Sequence, residues 1–191
     1  FIKGLFREHD PRNGLPLWTN VLSEAFPNSS GFRSVAISEG RAFLVADTDL
    51  AAIDLDTRRL SWRAPGNFEG TPAVANGFVY VKQGGTNVAT FNAATGIRVA
   101  DFPVQLDWRV NQPLVTDDTL ICGNAAEIIV FELASRSRRQ TIPFGGIPSL
   151  ANGVLFLAGF DGKLQAWTTT QDRRLIVTSE GAAVGAPSPF G

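Results

Sequence analysis

The feature that most constrains the fold is a hairpin signal that recurs along the chain. Residues 71–81 carry alternating apolar side chains on both sides of Asn76-Gly77, a pair that favours a tight turn between antiparallel strands. Equivalent turn positions at Gly40, Gly77, Asp118 and Gly153 follow one another at intervals of 37, 41 and 35 residues. A repeat of about 40 residues with four strands per unit is typical of a propeller blade. The sequence therefore predicts an all-β chain, a β-propeller of four-stranded antiparallel blades.

The repeat divides residues 1–179 into about four and a half blades. We expect a partial first blade at 1–30, further blades at about 31–66, 70–104, 112–143 and 147–178, and a tail or linker rich in Gly, Ala and Pro at 180–191. Closed propellers have about four to eight blades, and the tail is too poor in strand-forming residues to complete the first one. We therefore interpret the chain as an incomplete propeller or an arc of a larger one. The lack of any Met also favours a processed chain or a fragment.

A second pattern marks the outer half of each unit. Asp10 lies eight residues before Trp18, and Asp54 lies eight residues before Trp62, with a polar turn between the members of each pair. The same spacing from Asn92 leads to Ala100 instead of a Trp. We interpret each pair as the end of a third strand, a turn, and the fourth strand at the outer edge of the blade. We call this spacing the docking frame.

The segment from Ala52 to Trp62 resembles the tryptophan-docking motif of pyrroloquinoline-quinone-type (PQQ-like) propeller repeats, Ala-x-Asp-x-x-Thr-Gly-x-x-x-Trp. The matching positions are Ala52, Asp54, Thr57 and Trp62 in one copy, Asp10, Gly14 and Trp18 in another, and Asn92, Thr95 and Gly96 in a third. Arg58 departs from the motif glycine, Ala100 departs from the Trp, and the unit at 131–140 keeps only Ser135. The resemblance implies that the Trp packs between adjacent blades and that the turn residues bond locally. Such roles are architectural, so the motif indicates fold more than activity.

The resemblance leaves two classes of function open. The family includes quinoprotein dehydrogenases and also scaffolds without a cofactor, such as the outer-membrane assembly scaffold. A dehydrogenase of this kind implies a calcium site, an Asp base and usually a vicinal Cys pair, but Cys122 is the only cysteine. We therefore expect no cofactor and no enzyme activity, with a fragment of a PQQ-dependent dehydrogenase as the alternative.

Other candidates for chemistry have simpler structural interpretations. His9 is the only histidine, which excludes a catalytic triad or a His-rich metal site built from this chain alone. The acidic group at 47–56 lacks the glycine and the terminal Glu of a calcium loop, so we predict no metal site there. Cys122 lies in an apolar stretch without basic neighbours, which is typical of a small buried side chain.

The candidate contact residues lie in connections that should share one face of the propeller. Residues 101–112 link the outer strand of one blade to the inner strand of the next and contain Trp108 beside Arg109, a composition typical of an interface anchor. Trp108 as a displaced docking Trp, packed between blades, remains the other interpretation. The turns at 82–87 and 159–162 should lie on the same face, which adds Lys82, Asn87, Phe160 and Asp161.

Charge and hydropathy restrict the partners. The net charge of -1 argues against nucleic acid or an anionic membrane surface, and no apolar run approaches the length of a membrane span. We therefore predict a scaffold that binds a protein partner, or the remaining blades of a larger propeller. A carbohydrate- or small-ligand-binding propeller using Trp108 is a further alternative. An extracytoplasmic location, periplasmic or secreted, follows from the family resemblance alone.

Overall fold

The computed structural model describes residues 5–21, 31–46, 48–105, 112–169 and 175–182. These residues form eighteen β-strands, and none of them is helical. The strands are β1 (Leu5–His9), β2 (Pro16–Val21), β3 (Phe32–Ser38), β4 (Arg41–Ala46), β5 (Asp49–Asp54), β6 (Arg59–Pro65), β7 (Phe68–Ala75), β8 (Phe78–Gln83), β9 (Asn87–Asn92), β10 (Arg98–Pro103), β11 (Leu114–Val115), β12 (Thr119–Gly123), β13 (Ile128–Glu132), β14 (Arg138–Ile142), β15 (Gly146–Ala151), β16 (Val154–Gly159), β17 (Lys163–Thr169) and β18 (Leu175–Ala182).

The strands form five antiparallel sheets in which sequential strands are neighbours. β1 and β2 make a two-stranded N-terminal hairpin, and the other sheets each have four strands. We call them blade 1 (β3–β6), blade 2 (β7–β10), blade 3 (β11–β14) and blade 4 (β15–β18). The prediction of an all-β chain with four-stranded propeller blades is confirmed.

In blades 1, 2 and 4 the first hairpin is closed by a turn with two left-handed residues. Glu39-Gly40 has φ angles of 48° and 71°, and Asn76-Gly77 has 54° and 75°. Asn152-Gly153 repeats the pattern with 50° and 76°. A two-residue turn with positive φ at both positions matches the right-handed twist of the flanking strands. The Asn-Gly and Glu-Gly pairs therefore set the strand register locally, before any contact between blades is made.

The core consists of apolar layers between successive blades. One layer joins blades 1 and 2 and contains Phe43, Trp62, Phe68 and Phe91, a second joins blades 2 and 3, and a third joins blades 3 and 4. A smaller cluster lies on the other face of blade 1, where Phe32 packs. The middle strands of blades 1 to 3 are buried on both faces, because each blade is covered on both sides.

Blade 4 differs because one of its faces is exposed among the described residues. Burial alternates along β16, and this face presents Ile147, Phe156 and Leu164, each 37% to 49% exposed. The structure of blade 4 also corrects the predicted boundary between the last blade and the tail. Residues 180–182, expected to belong to the tail, continue β18, where Glu180 pairs with Gln165 and Ala182 with Lys163. Pairing with β17 outweighs the weak strand preference of Gly and Ala. Residues 183–191 lie outside the described part.

Among the described residues, no helix is long and apolar enough to cross a membrane.

Candidate functional site

The blades present two sets of loops at opposite ends of their strands. One end, which we call the loop face, carries the turns between the second and third strands, such as 84–86 and 160–162, and the links between blades. The other end, which we call the docking face, carries the hairpin turns and the turns between the third and fourth strands, such as 55–58, 93–97 and 133–137. Lys82, Asn87, Phe160 and Asp161, which are the described residues among the sequence-predicted contacts, lie at the loop face. The turns of the docking frames lie at the docking face.

The turns of the docking frame are closed by a carboxylate or amide that accepts local hydrogen bonds. Thr57 donates to Asp54 Oδ1 through its backbone N–H at 2.7 Å and its hydroxyl at 2.8 Å. Asn92 Oδ1 accepts the same two bonds from Thr95 at 2.9 and 3.0 Å. The bonds from Thr57 lower the pKa of the Asp54 carboxyl, because they favour its charged form.

The N-terminal hairpin has its own version of this turn. The backbone N–H of Gly14 donates to the Asp10 carbonyl oxygen at 2.7 Å, and Arg12 N–H donates to Asp10 Oδ1 at 2.9 Å. His9 Nδ1 lies 2.8 Å from the carbonyl oxygen of Gly14. These contacts tie His9 and Asp10 to the local turn, where they order the connection between β1 and β2.

Trp62 joins blade 1 to blade 2. Its indole Nε1 donates to the Ala93 carbonyl oxygen at 2.9 Å, and its ring centroid lies 6.0 Å from that of Phe43. The ring covers Gly96, where a Cβ atom would lie 2.5 Å from a ring carbon. Gly96 has a φ of 71°, so it serves both the left-handed turn and the close approach of the ring.

Trp18 contacts Arg58 at the turn position where Trp62 contacts a glycine. Arg58, which stands at the glycine position of the motif, keeps the left-handed conformation with a φ of 59°. Its guanidinium carbon lies 5.4 Å from the centroid of the Trp18 ring, within the range of a cation–π contact. Arg58 therefore keeps the conformation of the turn. Its guanidinium stacks on the Trp18 indole, whereas the indole of Trp62 packs directly on the backbone of Gly96.

On the loop face, two of the predicted contact residues take part in internal networks. Lys82 is only 2% exposed, and its Nζ lies 3.0 Å from Glu69 Oε2. Asn87 is half-buried at the start of β9, with its side-chain amide beside that of Gln83 at 3.5 Å. The Lys82 ammonium is therefore not presented to a partner, since it is buried and paired with Glu69.

Phe160 and Asp161 are exposed in the turn between β16 and β17. Together with Phe144 and Lys163 they line an open depression of about 490 Å³ between blades 3 and 4. Asp161 Oδ1 accepts a hydrogen bond from the Lys163 backbone N–H at 3.1 Å, which orders the turn. Trp108 and Arg109 lie outside the described residues, so the structure does not place them beside this depression.

The reactive residue types are used structurally in the described part of the chain. Cys122 is buried, and burial raises the pKa of its thiol to about 12. Asp49, a member of the acidic group, is 1% exposed and forms a two-point ion pair with Arg63 at 2.6 and 3.1 Å. Sequence reasoning missed this pair, because the two residues lie on different strands and only their register brings them together. No cluster of three or more His, Cys, Asp or Glu suited to a metal ion occurs among these residues.

Comparisons with known proteins agree with this geometry. A family profile described as outer membrane protein assembly factor BamB matches residues 3–138, whereas no curated protein sequence matches the chain. Among solved structures, BamB from Moraxella catarrhalis superposes with a TM-score of 0.73 at 16% identity, covering 91% of this chain. The chain spans 58% of the length of that protein.

Two further structures share the fold. The computationally designed Ika4 protein superposes with a TM-score of 0.61 at 14% identity, over 73% of this chain and 91% of the designed one. Hsv2 of Kluyveromyces lactis gives 0.59 at 10% identity, over 78% and 49%. At these identities the structural likeness shows the fold alone. The family profile covers most of the chain, and with the docking frames it shows that the chain belongs to the PQQ-type β-propeller family described as outer membrane protein assembly factor BamB.

Proposed function

We propose that this protein is a non-enzymatic propeller scaffold that binds a protein partner of an extracytoplasmic assembly complex. The observation that carries the proposal is the match of residues 3–138 to a family described as an outer membrane protein assembly factor. The structure supports the proposal, because the cysteine and the histidine, which could act as nucleophile or base, are used in packing and in a local turn. Cys122 is buried in the layer between blades 2 and 3, and His9 contacts its own turn.

The surface we assign to the partner is the loop face at blades 3 and 4. Phe160 presents an aromatic ring that is 37% exposed, and Asp161 and Lys163 place both signs of charge beside it. An aromatic residue bordered by polar groups is typical of the centre of a protein interface. The link that contains Trp108 and Arg109 joins β10 to β11, and we propose that it extends this surface. Lys82 and Asn87 would support the loop from within.

Quantitative cross-linking in an envelope extract tests this assignment. The full chain would carry a photo-cross-linker at Gln165, which also lines the depression, and the captured protein would be identified by mass spectrometry. Phe160→Ser and Asp161→Lys should each reduce capture of the same partner at least about tenfold, as expected when an interface hot spot is lost. Ile97→Ser is the matched control, because Ile97 is 64% exposed on the docking face. Equal loss with Ile97→Ser, or no loss with either loop-face variant, would contradict the assignment.

A titration distinguishes the dehydrogenase alternative. Calcium and pyrroloquinoline quinone added together to the full chain should change neither its melting temperature nor the quinone absorbance spectrum. Calcium-dependent binding of the quinone followed by dye reduction would replace the scaffold with an enzyme.

A further inference from the structure

A cavity of about 320 Å³ lies between blades 2 and 3 and opens on the docking face. We call it the interblade cavity; its lining includes Tyr80, Thr90, Ala100, Phe102, Leu133 and Arg136. It is distinct from the depression at Phe160, which lies at the opposite ends of the strands. Its volume is at the lower end of the range for ligand pockets, which suits a single ring system better than a peptide segment.

Strand register shows which position between blades 1 and 2 is equivalent to the cavity. In blade 1 the row of cross-strand neighbours is Phe43, Ala52 and Trp62, and in blade 2 the equivalent row is Tyr80, Thr90 and Ala100. The docking turn of the following blade is equivalent as well. Gly96 N–H donates to Asn92 at 2.8 Å, and Arg136 N–H donates to Glu132 at 2.9 Å. The cavity therefore lies where the Trp62 indole lies one blade earlier.

The lining of the cavity also includes a residue with a polar side chain that the filled site lacks. Thr90 takes the place of Ala52; its side chain is 3% exposed, and its hydroxyl has no hydrogen-bond partner among the described residues. Tyr80 takes the place of Phe43, and burial raises the pKa of its hydroxyl, which keeps it neutral. A buried hydroxyl without a partner costs free energy that a bound donor would recover.

The mouth of the cavity holds a cation that suits an aromatic occupant. Arg136 has a left-handed φ of 59°, as Arg58 has, and its Nη2 lies 3.5 Å from the Val99 carbonyl oxygen across the gap between the blades. Arg58 shows what a guanidinium does at this position when an indole is present, since it stacks on Trp18. The Asn76 amide donates to the Asp117 carbonyl oxygen at 3.1 Å and holds the two blades together at the rim.

We propose that the interblade cavity binds the side chain of a tryptophan presented by a partner protein. The occupant is identified by the chain itself, which places its own indole in the equivalent site between blades 1 and 2. An inserted indole N–H would have two acceptors, the Thr90 hydroxyl and the Leu133 carbonyl, the second being equivalent to the Ala93 carbonyl that Trp62 uses. Arg136 would stack on the ring. The site does not depend on the loop-face surface, so either assignment can fail without the other.

Titration of the full chain with N-acetyltryptophanamide, followed by NMR, tests the site. We expect saturable shifts confined to residues that line the cavity, and weaker binding of N-acetylphenylalaninamide, which lacks the ring N–H. Ala100→Trp should abolish binding, because it fills the cavity from within, and should leave the melting temperature equal or higher, which shows that the variant is folded. Binding that survives Ala100→Trp, or no binding at millimolar ligand, would overturn the proposal.

Two further variants separate the contacts. Thr90→Val keeps the shape and removes the hydroxyl, so it should weaken the tryptophan ligand about fivefold and leave the phenylalanine ligand unchanged. Arg136→Ala should weaken the tryptophan ligand about two- to fivefold. Equal loss of both ligands with Thr90→Val would contradict a role for the hydroxyl. Free indole that binds while the capped tryptophan does not would overturn a protein side chain as the occupant.

Discussion

The boundary between blades 1 and 2 and the boundary between blades 2 and 3 have the same backbone pattern and different contents. At the first, Trp62 fills the docking position and bonds to Ala93 across the gap. At the second, Ala100 leaves a cavity, although an edge-to-face pair of Phe102 and Phe131, 5.5 Å apart, still joins the blades. The docking turn thus sets where the docking position lies, and it forms whether or not a tryptophan fills that position. Apolar strand faces are sufficient to hold neighbouring blades together, so the docking position can be left without a tryptophan at one boundary.

The largest expected effect comes from emptying the filled site. Trp62→Ala should lower the free energy of unfolding by about 3–5 kcal/mol, because it removes a buried aromatic side chain and leaves a cavity. Urea unfolding followed by circular dichroism measures the change. Trp62→Phe is the control, since it keeps much of the apolar volume and loses the bond to Ala93, and it should cost less. A cost below about 1 kcal/mol for Trp62→Ala would mean that the two boundaries do not differ in the way described.

A smaller loss of stability is expected when a side chain is added at Gly96, where the Trp62 indole contacts the docking turn. Gly96→Ala places a Cβ atom 2.5 Å from the Trp62 ring at a φ of 71°, and should cost about 1–3 kcal/mol. Gly77→Ala is the matched control, because Gly77 has a φ of 75° and no neighbour within 4 Å of the added Cβ. The excess cost at Gly96 should fall when Trp62 is already Ala. An equal cost of the two glycine changes would contradict the ring contact.

The smallest effect concerns the charge in the docking turn. Because hydrogen bonds from Thr57 lower the folded-state pKa of Asp54, its contribution to stability is present above the unfolded-state pKa. The contribution is lost as the pH falls through the lowered value. Asp54→Asn, which reproduces the acceptor that Asn92 supplies in blade 2, should leave stability at neutral pH nearly unchanged and flatten its decline in acid. Unfolding measured from neutral pH to pH 2 checks this. An unchanged acid decline would contradict the assignment to Asp54.

Much of the blade architecture could be predicted because its signals are local. The Asn76-Gly77 pair sets the φ angles of its own turn, and Asp54 and Thr57 bond within four residues of each other. The exposure of the predicted contact residues was harder to predict, because it depends on which strands are neighbours. Lys82 looks like a surface cation in the sequence, but the register of β8 and β7 brings it beside Glu69 and buries it. The end of β18 was missed because its last residues obtain their hydrogen bonds from β17 and not from their own preference for a strand.

Short stretches of sequence specify the turns and the positions of the docking frames, because each depends on residues only a few places apart. The side chain that fills each docking frame depends on contacts between blades, which exist only in the folded chain. Trp62 and its acceptor Ala93 are 31 residues apart, and Ala100 reveals a cavity only when Thr90, Leu133 and Arg136 are brought around it. The packing of a side chain between blades depends on the surface of the neighbouring blade, which is about one repeat away in the sequence, so a single repeat cannot specify it.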